Sequence, residues 1–547
     1  MPTSHTSPRS LADEFVSFRR ASDHEHALWA GELEYLERWP EIGGTVADTY
    51  RDLARRASEL ATATPTDQIL VDTIEFSGES MATQLEWRPE LKWMNPAAGF
   101  LPSVFTFLPR YVLTDPDHGP RYLEKVTGLA AFLDGWGDRL ADAASAGVVP
   151  IEHLVSGVVA MLDKHLARPL SEGPLAAQSP PPGAGPDWND ELGRILDGTV
   201  APAFDRLRTT LRSHSLPNAQ DDARPGLLHL DGGCDLYERL VWAHTSMHVT
   251  AQQVHETGLA QIERLEDEYR ELGRSVLGTR DIGEIYARLR DDPGLHYQDA
   301  ETLVADAERA LAKAAGAAER WFGVLPQAPC NANAIDQGPL AFYSRPAPDG
   351  SKPGRFFFNT SDPSMWGTFQ LEAVTYHEGI PGHHLQLSIA QENPGLHRLL
   401  SDYYIAAYNE GWGLYTERLA EEMGLYSSDL DRFGMLSADS MRACRLVVDT
   451  GIHALGWTRS QAIQYIVDHS PMTRDQIAGE IDRYIGDPGQ ALGYMIGRLE
   501  IDAMRARAES TLGDRFDIKA FHDCILGTGS VPISTMHRVV DAWIAET

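Results

Sequence analysis

Paired cysteines are missing from this chain. Its four, Cys234, Cys330, Cys444 and Cys524, lie far apart and form no C-x-x-C pair. That excludes a disulfide scaffold and a thiolate metal knuckle, and it suits a reducing cytoplasm. Positive charge is also short: 47 Lys and Arg stand against 79 Asp and Glu, for a net charge of -32. A chain so acidic repels phosphate backbones and anionic headgroups, so neither nucleic acid nor a membrane surface is an expected partner. No stretch of 18 apolar residues occurs, and Met1 to Arg20 hold no apolar run of signal-peptide type. The expectation is therefore a cytoplasmic protein without a membrane span. Strand signals are equally scarce, and one hairpin carries nearly all of them.

What is present is helix. Of the 547 residues 43% are hydrophobic, ample for a large core, and the length prior suggests about three or four domains. Residues 1–170 form an N-terminal helical region: Ser10–Arg19, Gly31–Trp39, Val46–Thr62 and Tyr122–Ala144 carry apolar residues at helical spacing. Residues 171–187 (SEGPLAAQSPPPGAGPD) are too rich in Pro, Gly, Ser and Ala to supply a core and read as a linker or a long surface loop. Residues 188–547 form a second helical region, and the two halves are compatible with one body. Helix runs from Trp188 to Arg212 and from Leu236 to Leu272, where Thr250–Gln253 offers a fresh capped start. Leu340–Ser344 and Arg355–Asn359 are aromatic runs separated by turn residues, the signature of a hairpin. A strand edge beside the segment that follows is a place where an extended peptide could add as another strand. His397–Met423 reads as one helix and Phe516–Trp543 as helix, turn, helix.

The chemistry is concentrated in Tyr376-His377-Glu378-Gly379-Ile380-Pro381-Gly382-His383-His384-Leu385-Gln386. Imidazole is a common zinc ligand, and a carboxylate beside a metal-activated water serves as general base. The run nearly matches H-E-x-x-H, but Pro381 stands where the second histidine belongs. On an unbroken helix His383 would sit about 240° round from His377, and His384 would share its face but lie about 10 Å further along the axis. A shared ion therefore requires an interruption, and Gly379, Pro381 and Gly382 supply one. Removing two residues restores H-E-x-x-H with His383 as second ligand; His384 is the substitute.

Glu410 follows His383 by 27 residues within Asn-Glu-Gly-Trp-Gly, in the place where glutamate-type zincins carry a third ligand on a following helix. Glu417, seven further on, faces the same way. Gly411 and Gly413 inside that helix imply close approach to another helix or to a site. Arg445, Asp449 and His453 step by four along one face, either as an ion-pair stripe or as support for the site with an arginine for a substrate carboxylate. A late Gly- and Tyr-rich stretch holds Arg483, Tyr484, Tyr494 and Arg498; a tyrosine hydroxyl there could hydrogen-bond an oxyanion, and Tyr494 is the better candidate.

The segments HEGIPGHHLQ, NEGWGLYTE, RLVVDTGIH, RYIGDPGQALGYMIG and FHDCILGTGSVP resemble, in order, those of a large bacterial family known as domain of unknown function 885. They cover roughly residues 335–535. That family is in turn similar to the carboxypeptidase Taq metallopeptidases, helical gluzincin-like enzymes with a deep cleft. The resemblance implies His377, His383 and Glu410 as ligands, Glu378 as base and Tyr494 as the late tyrosine. Taken together, the expected protein is mainly α, a large helical zincin-like body with a deep cleft and a small antiparallel sheet beside the metal. It holds one zinc per chain and hydrolyses a peptide or small amide, with carboxypeptidase action first. Tyr494 stabilises the oxyanion, with His384 or His453 assisting, and Arg445, Arg483 or Arg498 binds the terminal carboxylate. A zinc hydrolase of a modified amino acid and a non-enzymatic scaffold are the alternatives, and a homodimer is compatible with the sequence.

Overall fold

The computed structural model describes residues 7–23, 28, 33–40, 44–86, 94–96, 99–145, 148, 150–336, 338–347 and 350–547. The chain is mainly helical, with one small sheet among the described residues. Helices Pro8–Ser22, Gly44–Ser58 and His118–Ser145 stand where the apolar spacing places them. The expected helix over residues 31–39 lies partly outside the described residues; the described part forms only the 3-10 turn Leu33–Tyr35.

The second half follows the sequence more closely. Thr250 does start a new helix: its hydroxyl accepts from the Gln253 N–H at 3.2 Å, and the Gln253 side chain takes the Thr250 N–H at 2.9 Å. Ser246, in left-handed conformation, closes the preceding helix Gly233–Thr245. The expected single helix over 397–423 is two, Arg398–Asp402 and Ala406–Glu422, with Tyr403 extended between them. That interruption brings Tyr404 to the site described below.

The sheet differs from expectation. The hairpin is present, β2 (Ala341–Ser344) against β3 (Gly354–Asn359), antiparallel with Phe342 opposite Phe357. A further strand, β1 (Cys330–Ile335), pairs with β3 in parallel, giving the order β1-β3-β2. The sheet is therefore mixed, not antiparallel. Phe356 and Phe358 pack from it onto Leu303 and Ala307 of helix Ala300–Ala318.

Nor do the cores divide at residues 171–187. Leu170 and Leu175 are buried in a cluster that joins Tyr122, Leu133 and Trp136 from before the stretch to Trp188, Phe204 and Leu211 after it. Conversely, Phe15, Tyr50 and Ile74 share a core with Tyr376, Trp412 and Tyr415 of the site-bearing half. The Pro/Gly-rich stretch is a surface loop over one core, and the first helices of the chain buttress the last. Among the described residues no helix is long and apolar enough to cross a membrane.

His153 ties the core around Trp136 and Phe204 to the site-bearing half. Its Nδ1 lies 2.6 Å from Asp222 and its Nε2 2.7 Å from Asp482, which also binds Arg459. Both ring nitrogens can donate to carboxylates only in the imidazolium. Burial opposes that charge and Arg459 works against it, but Asp482 and Asp222 outweigh them and raise the His153 pKa. A raised folded-state pKa contributes stability that is complete below the unfolded value, about 6.5, and is lost as pH rises through the folded value. His153→Ala should therefore lower the urea midpoint more at pH 6 than at pH 9; an equal loss at both would remove the charge from this contact.

Candidate metal centre

The helix Leu371–Glu378 presents His377 and then stops. Gly379 leaves helical geometry (ψ -120°), the Ile380–Pro381 peptide is cis, and a new helix, His383–Glu392, begins at once. Gly382 is obligatory: a Cβ there would lie 1.9 Å from the His377 carbonyl oxygen. The break turns the second helix so that the His377 and His383 rings meet at 4.8 Å, nearly perpendicular.

The helix Ala406–Glu422 crosses this break. Gly411 packs against Gly497 of helix Gly493–Leu512, where an added Cβ would lie 2.6 Å from backbone. Gly413 lies against the His377 ring, and a Cβ there would approach it to 2.6 Å. The Trp412 indole donates to the Pro381 carbonyl at 3.0 Å. Glu410 and Glu417, two turns apart, both face His377.

The donor atoms of His377, His383 and Glu410 lie within 4.8 Å of one another. Glu410 Oε2 is 3.4 Å from His377 Nε2 and 3.6 Å from His383 Nε2. Those gaps are long for hydrogen bonds, yet ligands about 2.1 Å from a shared tetrahedral ion stand about 3.4 Å apart. Glu417 accepts from His377 Nδ1 at 2.8 Å, so in the neutral ring the proton sits on Nδ1 and Nε2 is the nitrogen left to ligate. His383 Nδ1 is buried and has no hydrogen-bond partner among the described residues. Burial opposes charge on His377, but Glu410 and Glu417 outweigh it and raise its pKa to about 10. Desolvation opposes charge on Glu410 too, but the two imidazoles outweigh it and hold its carboxyl well below the usual range. The donor set, its spacing and its negative charge fit a divalent zinc-like ion.

Three further groups face this point. The carboxylate of Glu378, half-buried, makes no hydrogen bond among the described residues, and its charge is felt by both His377 and Tyr404. The Tyr404 phenol donates to Glu410 Oε1. Burial and then the charge of Glu410 push the Tyr494 phenol up to about 12, against the pull of Arg445, Arg483 and Arg442, so it keeps its proton at neutral pH. Its ring lies under Arg445 at 4.5 Å and Arg442 at 5.8 Å.

The other nominated residues are elsewhere. His384 is not a substitute ligand or an oxyanion partner. Its Nε2–H donates to the Ala328 carbonyl at 3.0 Å and its Nδ1 accepts from the Tyr343 hydroxyl at 2.9 Å, while burial lowers its pKa to about 4. His453 is equally engaged, Nδ1 accepting from Leu227 N–H at 3.3 Å and Nε2–H donating to Tyr484 O at 3.1 Å. Arg498 is itself buried and committed to carboxylates, Asp439 at 3.8 Å and the partly exposed Asp502 at 3.1 Å. Arg445 and Arg483 both bind Glu480, at 2.8 and 3.0 Å. The 445–449–453 stripe is not an ion-pair ladder, because Asp449 accepts from Tyr237 at 2.5 Å and from Gly489 N–H at 3.0 Å instead. Sequence reasoning missed Tyr404 and Arg442. Glu417 was marked only by sharing the face of Glu410.

The sequence profile described as "Bacterial protein of unknown function (DUF885)" matches residues 25–540. The chain belongs to this family. No curated protein matches the DUF885 chain. Two solved structures share its fold. A lipoprotein candidate from Colwellia psychrerythraea superposes with a TM-score of 0.89 at 23% identity, over 99% of this chain and 100% of that one. A lipoprotein candidate of unknown function from Shewanella oneidensis gives 0.75 at 18% identity, over 97% and 99%.

Elemental analysis of this DUF885 protein should find about one zinc per chain. His377→Ala should abolish it. Glu417→Gln should weaken zinc affinity by about 10–100-fold, and Gly413→Ala should do so by displacing the imidazole. Wild-type zinc content in all three variants would disqualify the cluster.

Proposed function

We propose that this protein is a zinc-dependent metallohydrolase, a peptidase of carboxypeptidase type, with a zincin-like body and its cleft over the His377–His383–Glu410 cluster. The observation that supports it best is the pairing of that cluster with an unengaged carboxylate, Glu378, adjacent in sequence to the first ligand. A structural metal site surrounded by satisfied groups has no use for such a base.

His377, His383 and Glu410 would hold the ion, and Glu417 fixes the tautomer of His377. Zinc bound there supplies Lewis acidity toward a substrate carbonyl and a water. Glu378 takes the proton of the attacking water and delivers it to the leaving nitrogen. Tyr494, protonated at neutral pH, donates its hydroxyl to the oxyanion as the carbonyl becomes tetrahedral. Tyr404 holds Glu410 by its outer oxygen and leaves the inner one to the ion. Arg445 acts through the tyrosine: bonded to Glu480 and the Tyr484 hydroxyl, the latter at 2.7 Å, it packs over the Tyr494 ring and fixes it. Of the three arginines nominated for a terminal carboxylate, Arg483 is the one with solvent access, and the proposal assigns that role to it. All four cysteines are free thiols, in keeping with a cytoplasmic location.

Glu378→Gln should keep its zinc and lose all turnover on a panel of dipeptides and acylamino acids. Tyr494→Phe should lower kcat by about 10²–10³ with little change in KM. Removing zinc with a chelator should abolish activity and adding it back should restore it. A Glu378→Gln enzyme that still turns over would end the assignment of the base.

A further inference from the structure

The edge of β1 is open. Among the described residues β1 pairs with β3 on one side and with no strand on the other. The Gly354 N–H donates to Pro329 O at 3.0 Å and the Thr360 N–H to Ile335 O at 2.8 Å. Successive residues of a strand turn their backbone groups to opposite neighbours. Residues 329, 331, 333 and 335 thus face β3, and Cys330, Ala332 and Ala334 turn N–H and C=O outward. Natural edges are usually guarded by charge, proline or a bulge. The strand Cys-Asn-Ala-Asn-Ala-Ile has no charge and no proline, and its register with β3 is unbroken.

A cavity of about 600 Å³ runs along this edge. Its far wall is the helix Ala300–Ala318 through Leu311, Ala312 and Ala315, and Ile380 of the helix break closes one end. The volume is that of a ligand site. Its rim is held in place, since Gln327 and Ala328 N–H both donate to Glu392, at 2.7 and 2.9 Å, and His384 holds the Ala328 carbonyl. Asn333 lines the cavity, and its Oδ1 is buried with no hydrogen-bond partner among the described residues.

We propose that the open edge of β1 and the trough beside it form a docking site for an extended peptide, added as a fourth strand. Donors and acceptors repeating at every second residue, about 6.6 Å apart, are matched by an extended backbone and by little else. Asn333 Oδ1 takes one further donor from the incoming chain. The alanine wall accepts small or apolar side chains at alternate positions. Glu308 is the charged side chain of the lining, so the segment is neutral or basic. The site does not depend on the hydrolase reading, because docking needs no metal.

The test uses the full-length protein stripped of metal and a fluorescein-labelled peptide, Lys-Thr-Val-Thr-Val-Thr-Val-Lys, at about 0.15 M salt to screen diffuse attraction. Anisotropy should show saturable binding, with amide exchange slowed at Cys330, Ala332 and Ala334. Ala332→Pro removes an outward donor and should weaken binding about ten-fold, the loss expected for hydrogen bonds of this kind. Ala315→Trp, on an exposed helix face, fills the trough from the helix side and leaves the backbone of β1 unchanged; it should weaken binding as much. Ala341 lies outward on the opposite edge, since Asn359 N–H donates to Leu340 O at 2.8 Å, and Ala341→Pro should leave binding unchanged. The proposal fails if binding is not saturable or if Ala315→Trp binds like wild type. Loss on Ala341→Pro alone would place the peptide on β2. Self-association abolished by Ala332→Pro would make the occupant a second copy of the chain, and would overturn the proposal equally.

Discussion

Two imidazoles six residues apart cannot meet on an unbroken helix, and most of the architecture around the cluster follows from that fact. The break at Gly379–Gly382 needs room beside the Tyr376 and His377 carbonyls, which only glycine leaves at position 382. It also needs an anchor, because a loop carbonyl buried under helices must be paired. The crossing helix Ala406–Glu422 provides both anchor and ligand. Trp412 caps the Pro381 carbonyl, Gly413 makes space for the His377 ring, and Glu410 and Glu417 reach the two sides of that ring. Four functions thus fall on eight residues of one helix, and the tight Gly411–Gly497 contact fixes how deeply that helix sits.

Electrostatics explains why the surroundings are as polar as they are. Glu417 is 1% exposed and Asp439 is 1% exposed. A buried carboxylate left unpaired is strongly unfavourable. Glu417 has His377, with Arg442 Nη2 at 3.9 Å behind it. Asp439 has Arg418 at 2.5 Å and Arg498 at 3.8 Å. The arginines of this half are therefore largely committed to internal carboxylates. This is why Arg498, attractive as a substrate ligand from its place in a Gly- and Tyr-rich stretch, serves the interior instead.

The cluster was legible because its constraints are local. A near match to H-E-x-x-H, helix breakers at the inserted positions and a glutamate on the next helix can all be read from spacing. The hairpin was legible because Phe342, Tyr343 and Phe356–Phe358 are strong strand formers. β1 was not, because Asn-Ala alternation has low strand propensity and two prolines precede it; it is a strand because β3 offers it a ladder. The Pro/Gly-rich stretch misled in the other direction: its composition signals a surface loop but says nothing of the core beneath, to which Leu170 and Leu175 belong. His453 and Asp449 looked functional at helical spacing because partners such as Leu227, Tyr237 and Gly489 are distant in sequence and invisible there.

The two adjacent histidines show what spacing alone does settle. Consecutive helical residues point about 100° apart, so His383 and His384 cannot serve the same ion once one of them is in place. His383 turns to His377 and Glu410. His384 must then face away, and there it finds Tyr343 of β2 and the carbonyl of Ala328, just ahead of β1. Gly354 of β3 has no side chain because one would lie 2.4 Å from the His384 ring. The third histidine of the motif is thus a neutral strut between helix and sheet. It sets the distance from the ion-binding face of the break to both edges of the sheet, and any shift of the break would move all three together.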